Sequence, residues 1–214
     1  MCGRYACVIQ NFGRWDALFK MILEEIDGRY NIAPTTTVSV FTKDGWTKMR
    51  WGLVPSWSKE PKTKYATFNA RVESFFEKPM YRSAWKSDQR CLIPVSGYYE
   101  WKTEDGGKHP FYIHSALDEP LVFAGLWEKW QNEDSELFSC TIITTAAKEI
   151  LADLHHRMPV MLEPAEAELW LRGGKEDAMT ALHNPSVQNV IYHQVDDMVG
   201  NPRNQGRTLI SPCT

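Results

Sequence analysis

No apolar run in this 214-residue chain approaches the ~18 residues that a membrane-spanning helix needs, so no membrane contact is expected. The opening Met-Cys-Gly-Arg-Tyr-Ala-Cys holds no apolar signal-peptide core, so export is not expected either. Cysteine is scarce and odd in number: five, at 2, 7, 91, 140 and 213. No two are spaced as a zinc ribbon requires, and nothing signals a disulfide framework. A reduced, cytoplasmic protein is expected, nucleoid-associated if the source is bacterial. Repeats, low-complexity tracts and long linkers are absent, which predicts one domain over residues 1–214. There is no Gly-rich phosphate loop and no strand–helix–strand alternation, which argues against a nucleotide-binding fold. A large charge excess is missing too, since the net charge is −3.

What is present is the composition of a folded protein: 43% hydrophobic and 24% charged residues. Trp15, Leu18, Phe19, Ile22, Leu23 and Ile26 have helical spacing, predicting a helix over Arg14–Ile26. Val38–Thr42 and Trp46–Trp51 flank a Lys-Asp-Gly turn and read as a hairpin. Short helices are expected at Glu73–Phe76 and Met80–Trp85, and strands at Arg90–Pro94, Gly97–Lys102, Pro110–Ile113, Leu121–Leu126 and Leu137–Thr144. Helices near Ala146–Leu151, Pro164–Leu171 and Lys175–Leu182 precede a closing strand at Val190–Val195. Many short strands with a few helices predict an α+β domain around a twisted, barrel-like antiparallel sheet with peripheral helices.

The small net charge hides an asymmetry. Residues 43–108 carry thirteen basic and eight acidic side chains, while residues 109–214 carry seven basic and fifteen acidic. That leaves room for one basic face; an unevenly charged solvated surface is the plainer reading. Within the basic segment, Trp51-Gly-Leu-Val-Pro-Ser-Trp57 sits among Arg50, Lys59, Lys62 and Lys64. Aromatics among cations suit stacking on single-stranded bases, although most of nine tryptophans must pack in a core.

Four further places could carry chemistry. Cys2 becomes the N-terminus if the initiator Met is removed. It then bears an amine and a thiol on adjacent carbons. An α-amine has a pKa near 7.8 against about 10.4 for lysine, so it offers far more free base at neutral pH. That suits Schiff-base formation with a carbonyl, which the thiol can close into a ring; otherwise Cys2 is merely the residue after Met. His155 and His156, read as neighbours in a strand, would face opposite ways, so at most one faces a site. Glu100, between Tyr99 and Trp101, is either a general acid/base with a raised pKa or an outward strand residue. Asn69-Ala-Arg71 offers an orienting amide and a phosphate-gripping guanidinium, or a turn and a surface charge.

Seven segments occur in order: Cys2-Gly-Arg-Tyr5, Tyr30-Asn-Ile-Ala-Pro-Thr35, Trp51 to Trp57, Asn69-Ala-Arg71 with Glu73, Arg90-Cys-Leu-Ile-Pro94, Gly97-Tyr-Tyr-Glu-Trp101 and His155-His-Arg-Met-Pro159. Each alone is common; the ordered set resembles the SRAP family, the SOS-response-associated peptidases or abasic-site processing proteins. The resemblance implies a protein that links itself covalently to abasic sites in single-stranded DNA and shields the lesion. Cys2 would be the nucleophile, through a Schiff base and then a thiazolidine. Glu100 would assist sugar ring opening, His155 would move protons at the imine, and Asn69 would position the cysteine or the sugar. Arg4, Arg71 and Arg157 would contact phosphates, Gly3 and Pro34 would line the pocket, and Trp51 would belong to the DNA-binding set. No metal or organic cofactor is implied, and a monomer is expected. The alternatives are a cysteine peptidase using Cys2 and His155, at least on its own Met1, and a non-covalent reader of modified bases.

Overall fold

The structure, a computed structural model, describes residues 2–19, 26–183 and 185–213. Its centre is a ring of five strands: β3 (Thr37–Thr42), β4 (Gly45–Trp51), β6 (Arg90–Val95), β9 (Leu121–Gln131) and β10 (Glu136–Ala146). β3 and β4 form the expected hairpin, β6 pairs with both β3 and β9, and β9 turns back into β10. The ring closes where β10 meets β4, with Ser139 opposite Arg50 and Cys140 opposite Trp51. That seam is parallel within an otherwise antiparallel ring, and the barrel-like antiparallel expectation holds for the other four pairings. Strand directions cannot alternate all the way round an odd-membered ring, so a closed barrel of five requires such a seam.

A second sheet covers the barrel in the order β12 (Val190–Gln194), β8 (Gly107–Ser115), β7 (Gly97–Glu104), β1 (Tyr5–Cys7), β2 (Arg29–Ile32). β7 and β8 are joined through Asp105 and Gly106, both at positive φ (50° and 76°), the conformation a tight two-residue hairpin loop needs. The two layers meet through aromatic contacts: Tyr98 of β7 lies edge-on to Phe123 of β9, and Tyr5 of β1 packs on Trp51 of β4. The short β5 (Asn69–Arg71) and β11 (Arg157–Pro159) both attach to β10.

Helices α1 (Asp16–Phe19), α2 (Arg82–Lys86), α3 (Pro164–Arg172) and α4 (Lys175–His183) lie outside the strands. Trp170 of α3 stacks on Trp85 of α2 and donates its indole N–H to Cys91 O at 3.0 Å, which anchors α3 to β6. No helix among the described residues is long and apolar enough to cross a membrane.

Three helix expectations differ from the structure. Over Arg14–Ile26, a 3-10 turn at Gly13–Trp15 leads into α1, and residues 20–25 lie outside the described set. Glu73–Phe76 forms successive turns rather than a helix. Ala146 is taken by the β10–β11 ladder opposite Arg157, and Glu149 at φ 49° interrupts helical backbone, so only a 3-10 turn follows at Glu149–Asp153.

Trp51 is fully buried and donates its indole N–H to Phe68 O at 2.9 Å. Trp51→Ala should therefore lower unfolding free energy by about 3–5 kcal/mol, by emptying core volume and removing a buried hydrogen bond, although Phe68 O keeps the Ile142 N–H at 3.1 Å. Denaturant titration measures this, and a loss below ~1 kcal/mol would be incompatible with that packing.

Candidate functional site

Cys2 precedes β1 and is completely buried. Two contacts fix it. The Tyr99 N–H donates to Arg4 O at 2.9 Å, laying residues 2–4 along β7. Asn69 donates its side-chain N–H to Cys2 O at 2.7 Å. Asn69 is itself held, because β5 runs parallel to β10 with Asn69 opposite Ile142, and the Tyr81 hydroxyl donates to Asn69 O at 3.0 Å.

Glu100 on β7 is 5% exposed. Burial pushes the Cys2 thiol far above its usual range, and the charge of Glu100 pushes the same way. At neutral pH Cys2 therefore carries a thiol and not a thiolate. Glu100 also acts on His155: burial lowers the imidazole pKa, and the carboxylate opposes that shift. The His155 ring stays neutral to more acidic pH than a free histidine. Its Nδ1 accepts the Arg157 N–H at 2.9 Å, a closer partner than Arg157 O at 3.2 Å, which favours the neutral ring with its proton on Nε2. Glu100 and His155 open onto a cleft of about 430 Å³ whose wall includes Trp101, Lys108 and Gly200.

The expected strand geometry at the two histidines is not found. Both precede β11, and their rings stack at 4.2 Å instead of facing apart. Strand pairing begins only at Arg157, opposite Ala146.

The expected DNA contacts fall in unlike settings. Arg71 is exposed at the end of β5. Arg4 is half-buried, bonds Asn31 Oδ1 and Val199 O at 2.8 Å each, and sits over the Trp101 ring. Arg157 is buried; its guanidinium forks onto Glu73 at 2.6 and 3.0 Å and donates to Thr144 O. Its hydrogen bond holds the Glu73 carboxyl below the ordinary range. Gly3 and Pro34 are half-buried, and beyond Pro34 the Thr35 N–H donates to Trp51 O at 2.7 Å. Trp51 is corrected: an indole buried with its N–H satisfied has no face to offer a base.

Three contributors escaped the sequence reading. Lys108 enters the cleft because the β7–β8 hairpin places it opposite Thr103. Asn31, quoted only as part of a motif, donates to the carbonyls of Val199, Asn201 and Asn204 and accepts from Arg4. Tyr65, 72% exposed, is the most exposed large apolar side chain among the described residues; it lies in the Lys-bearing segment between β4 and β5 with Trp57, 58% exposed, which the sequence already offers for stacking. For Asn31 the available signal was a polar residue between Tyr30 and Ile32 in a short apolar run.

Comparison with known proteins bears on this arrangement. The Bacillus subtilis abasic site processing protein YoqW is 35% identical over 226 residues, spanning 98% of this chain and 99% of its own. The Escherichia coli abasic site processing protein YedK is 33% identical over 230 residues, spanning 99% and 100%. An X-ray structure of a Bordetella bronchiseptica protein shares the fold, with a TM-score of 0.79 at 23% identity over 91% of this chain and 100% of that one. The family model described as SOS response associated peptidase (SRAP) matches residues 1–202. The chain is thus a member of the SOS response associated peptidase (SRAP) family.

Proposed function

We propose that this protein processes abasic sites in DNA, and that it does so by bonding Cys2 to the lesion in single-stranded DNA. The relatives' names support the first part. For the second, the observation that carries most weight is the 2.7 Å bond from Asn69 to Cys2 O. It holds the N-terminal cysteine where its thiol couples electrostatically to Glu100, which in turn couples to His155.

The chemistry follows from the groups. An abasic sugar is a hemiacetal in equilibrium with a little aldehyde. Glu100 moves the proton that opens the ring. With Met1 removed, the Cys2 amine attacks the aldehyde carbon, forming a C–N bond. The carbonyl oxygen leaves as water after gaining two protons, one of them relayed by His155. The thiol then adds to the imine carbon, forming a C–S bond, and its proton ends on the nitrogen as the thiazolidine closes. A protonated thiol suits this last step, because it brings the proton that the imine nitrogen needs. It suits a cysteine peptidase poorly, since that nucleophile is a thiolate of lowered pKa. In this reading Arg71 reaches the DNA backbone directly, whereas Arg157 sets the loop that carries His155.

A chain with uncleaved residues before Cys2 should bind abasic single strands yet give no denaturant-stable adduct, because an amide nitrogen is not a nucleophile. Release of Cys2 by a site-specific protease should restore crosslinking on a denaturing gel. Undiminished crosslinking by the blocked chain would move the nucleophile to a lysine. Removal of the extension by the chain itself, dependent on Cys2 and His155, would favour the peptidase reading for maturation. Cys2→Ala should leave only a borohydride-trappable imine.

Glu100→Gln keeps size and hydrogen bonding but loses proton transfer, and should slow adduct formation ~10²-fold or more. His155→Ala should act similarly. His156→Ala removes the stacked ring and should have the smaller effect; single-turnover rates that fall equally for both would contradict the roles assigned. Arg71→Ala should weaken binding to intact and abasic strands alike. It should also flatten the slope of log affinity against log salt by about 0.7, one phosphate's worth for a single strand. An unchanged slope would take Arg71 off the backbone.

A further inference from the structure

A second cavity of about 320 Å³ shares no wall residue with the cleft at Glu100 and His155. It lies over the outer face of the second sheet, where β8 meets β12. Tyr112 pairs with His193 across that seam, which puts His114, two residues further along β8, on the same face as His193. The two imidazoles sit 5.2 Å apart, centroid to centroid, at 69°.

The hydrogen bonds fix both tautomers. His114 Nδ1 lies 3.0 Å from Ser115 O, and His193 Nε2 lies 2.9 Å from Ile210 O. A carbonyl oxygen only accepts, so each of those nitrogens carries its ring's hydrogen. His114 Nε2 and His193 Nδ1 are then left with lone pairs. An imidazole whose N–H is donated to a backbone carbonyl while its other nitrogen stays basic is the outer-shell arrangement of metal-ligating histidines.

The spacing agrees. At a Zn–N distance of about 2.05 Å an imidazole centroid lies about 3.2 Å from the ion, and two such rings at the tetrahedral angle stand about 5.2 Å apart. We propose that His114 and His193 chelate one divalent transition-metal ion of the zinc, nickel or copper type through His114 Nε2 and His193 Nδ1. Among the described residues no group of three or more His, Cys, Asp or Glu is placed to cage an ion, so water completes the shell. The charges around the pair balance. Burial lowers the His114 imidazole pKa, which favours the neutral ring, and Asp118 in the same cavity opposes that only in part; Glu119 is engaged by Arg14 at 2.9 Å, and Arg207 stands at the wall. A bound ion would tie the edge strand β12 to β8. Ile210 O, the carbonyl that sets the His193 tautomer, would couple the C-terminal segment to the same ion.

The test uses the full chain carrying Cys213→Ser, which removes the one exposed thiol. Calorimetric titration with Zn²⁺ at neutral pH should show one ion per chain. His114→Gln and His193→Gln should each weaken it by at least the ~10-fold that even an outer-shell loss produces. Nitrogen-15 NMR of the metal-free protein should find the Nδ1–H tautomer at His114 and the Nε2–H tautomer at His193, whether or not the variants fold. Added Zn²⁺ should shift His114 Nε2 and His193 Nδ1. Either tautomer reversed, no stoichiometric binding, or shifts confined to His155 and His156 would overturn the proposal.

Discussion

An odd number of strands closing into a ring is the constraint on which the rest of this molecule depends. One pairing must run parallel, and here β10 carries it against β4. β10 is eleven residues long, and different stretches of it serve different partners. Residues 136–142 pair with β9, and Ser139 and Cys140 close the barrel. Beyond that seam, Ile142–Thr144 hold β5 and Thr144–Ala146 hold β11. Those two short strands carry Asn69 and Arg71 on one side and Arg157, two residues after His155, on the other. Three-residue strands have little stability of their own. The geometry at Cys2 is therefore inherited from the strand that closes the barrel.

Thr144 shows how tightly the two are joined. Its carbonyl accepts from the Val72 N–H and from Arg157, and its hydroxyl donates to Ala70 O at 3.4 Å. The guanidinium of Arg157 meets Glu73 at the same place, bridging the turn after β5 to the start of β11. A buried cation is costly unless it is paired, and here the pairing with Glu73 also fixes the loop whose N–H meets His155 Nδ1.

Much of this was legible in the sequence, and the failures have physical causes. The barrel strands are long enough for apolar runs to mark them, as at Arg90–Pro94, and an Asp-Gly turn marks the hairpin at Val38–Trp51. β1, β5 and β11 have three residues each, too few for any period to register. At the site, residue types identified Cys2, Asn69, Glu100 and His155 as one set only through an ordered resemblance. Local pattern could not say that Trp51 points inward, because a tryptophan among cations fits a stacking surface and a barrel wall equally well. It also could not say that His155 and His156 stack, since their backbone is set by β11 downstream and not by their own propensity.

The N-terminus is braced from the opposite direction by the far end of the chain. Asn31 uses both ends of its amide, taking Arg4 on its oxygen and giving N–H bonds to Val199, Asn201 and Asn204 carbonyls. Gln205 returns to the same strand, donating to Asn31 O and accepting from the Asn31 and Tyr30 N–H groups. Arg4 completes the link by reaching Val199 O itself. A free chain end frays unless it is tied down. Cys2, two residues from Arg4, is secured by Asn69 on one side and by this polar knot on the other. The proposed role of Cys2 as nucleophile would need that: held at its carbonyl and at the next side chains, it would keep its reactive atoms in one place. The fold supplies that fixity through buried hydrogen bonds, whose loss would leave several carbonyls unpaired at once.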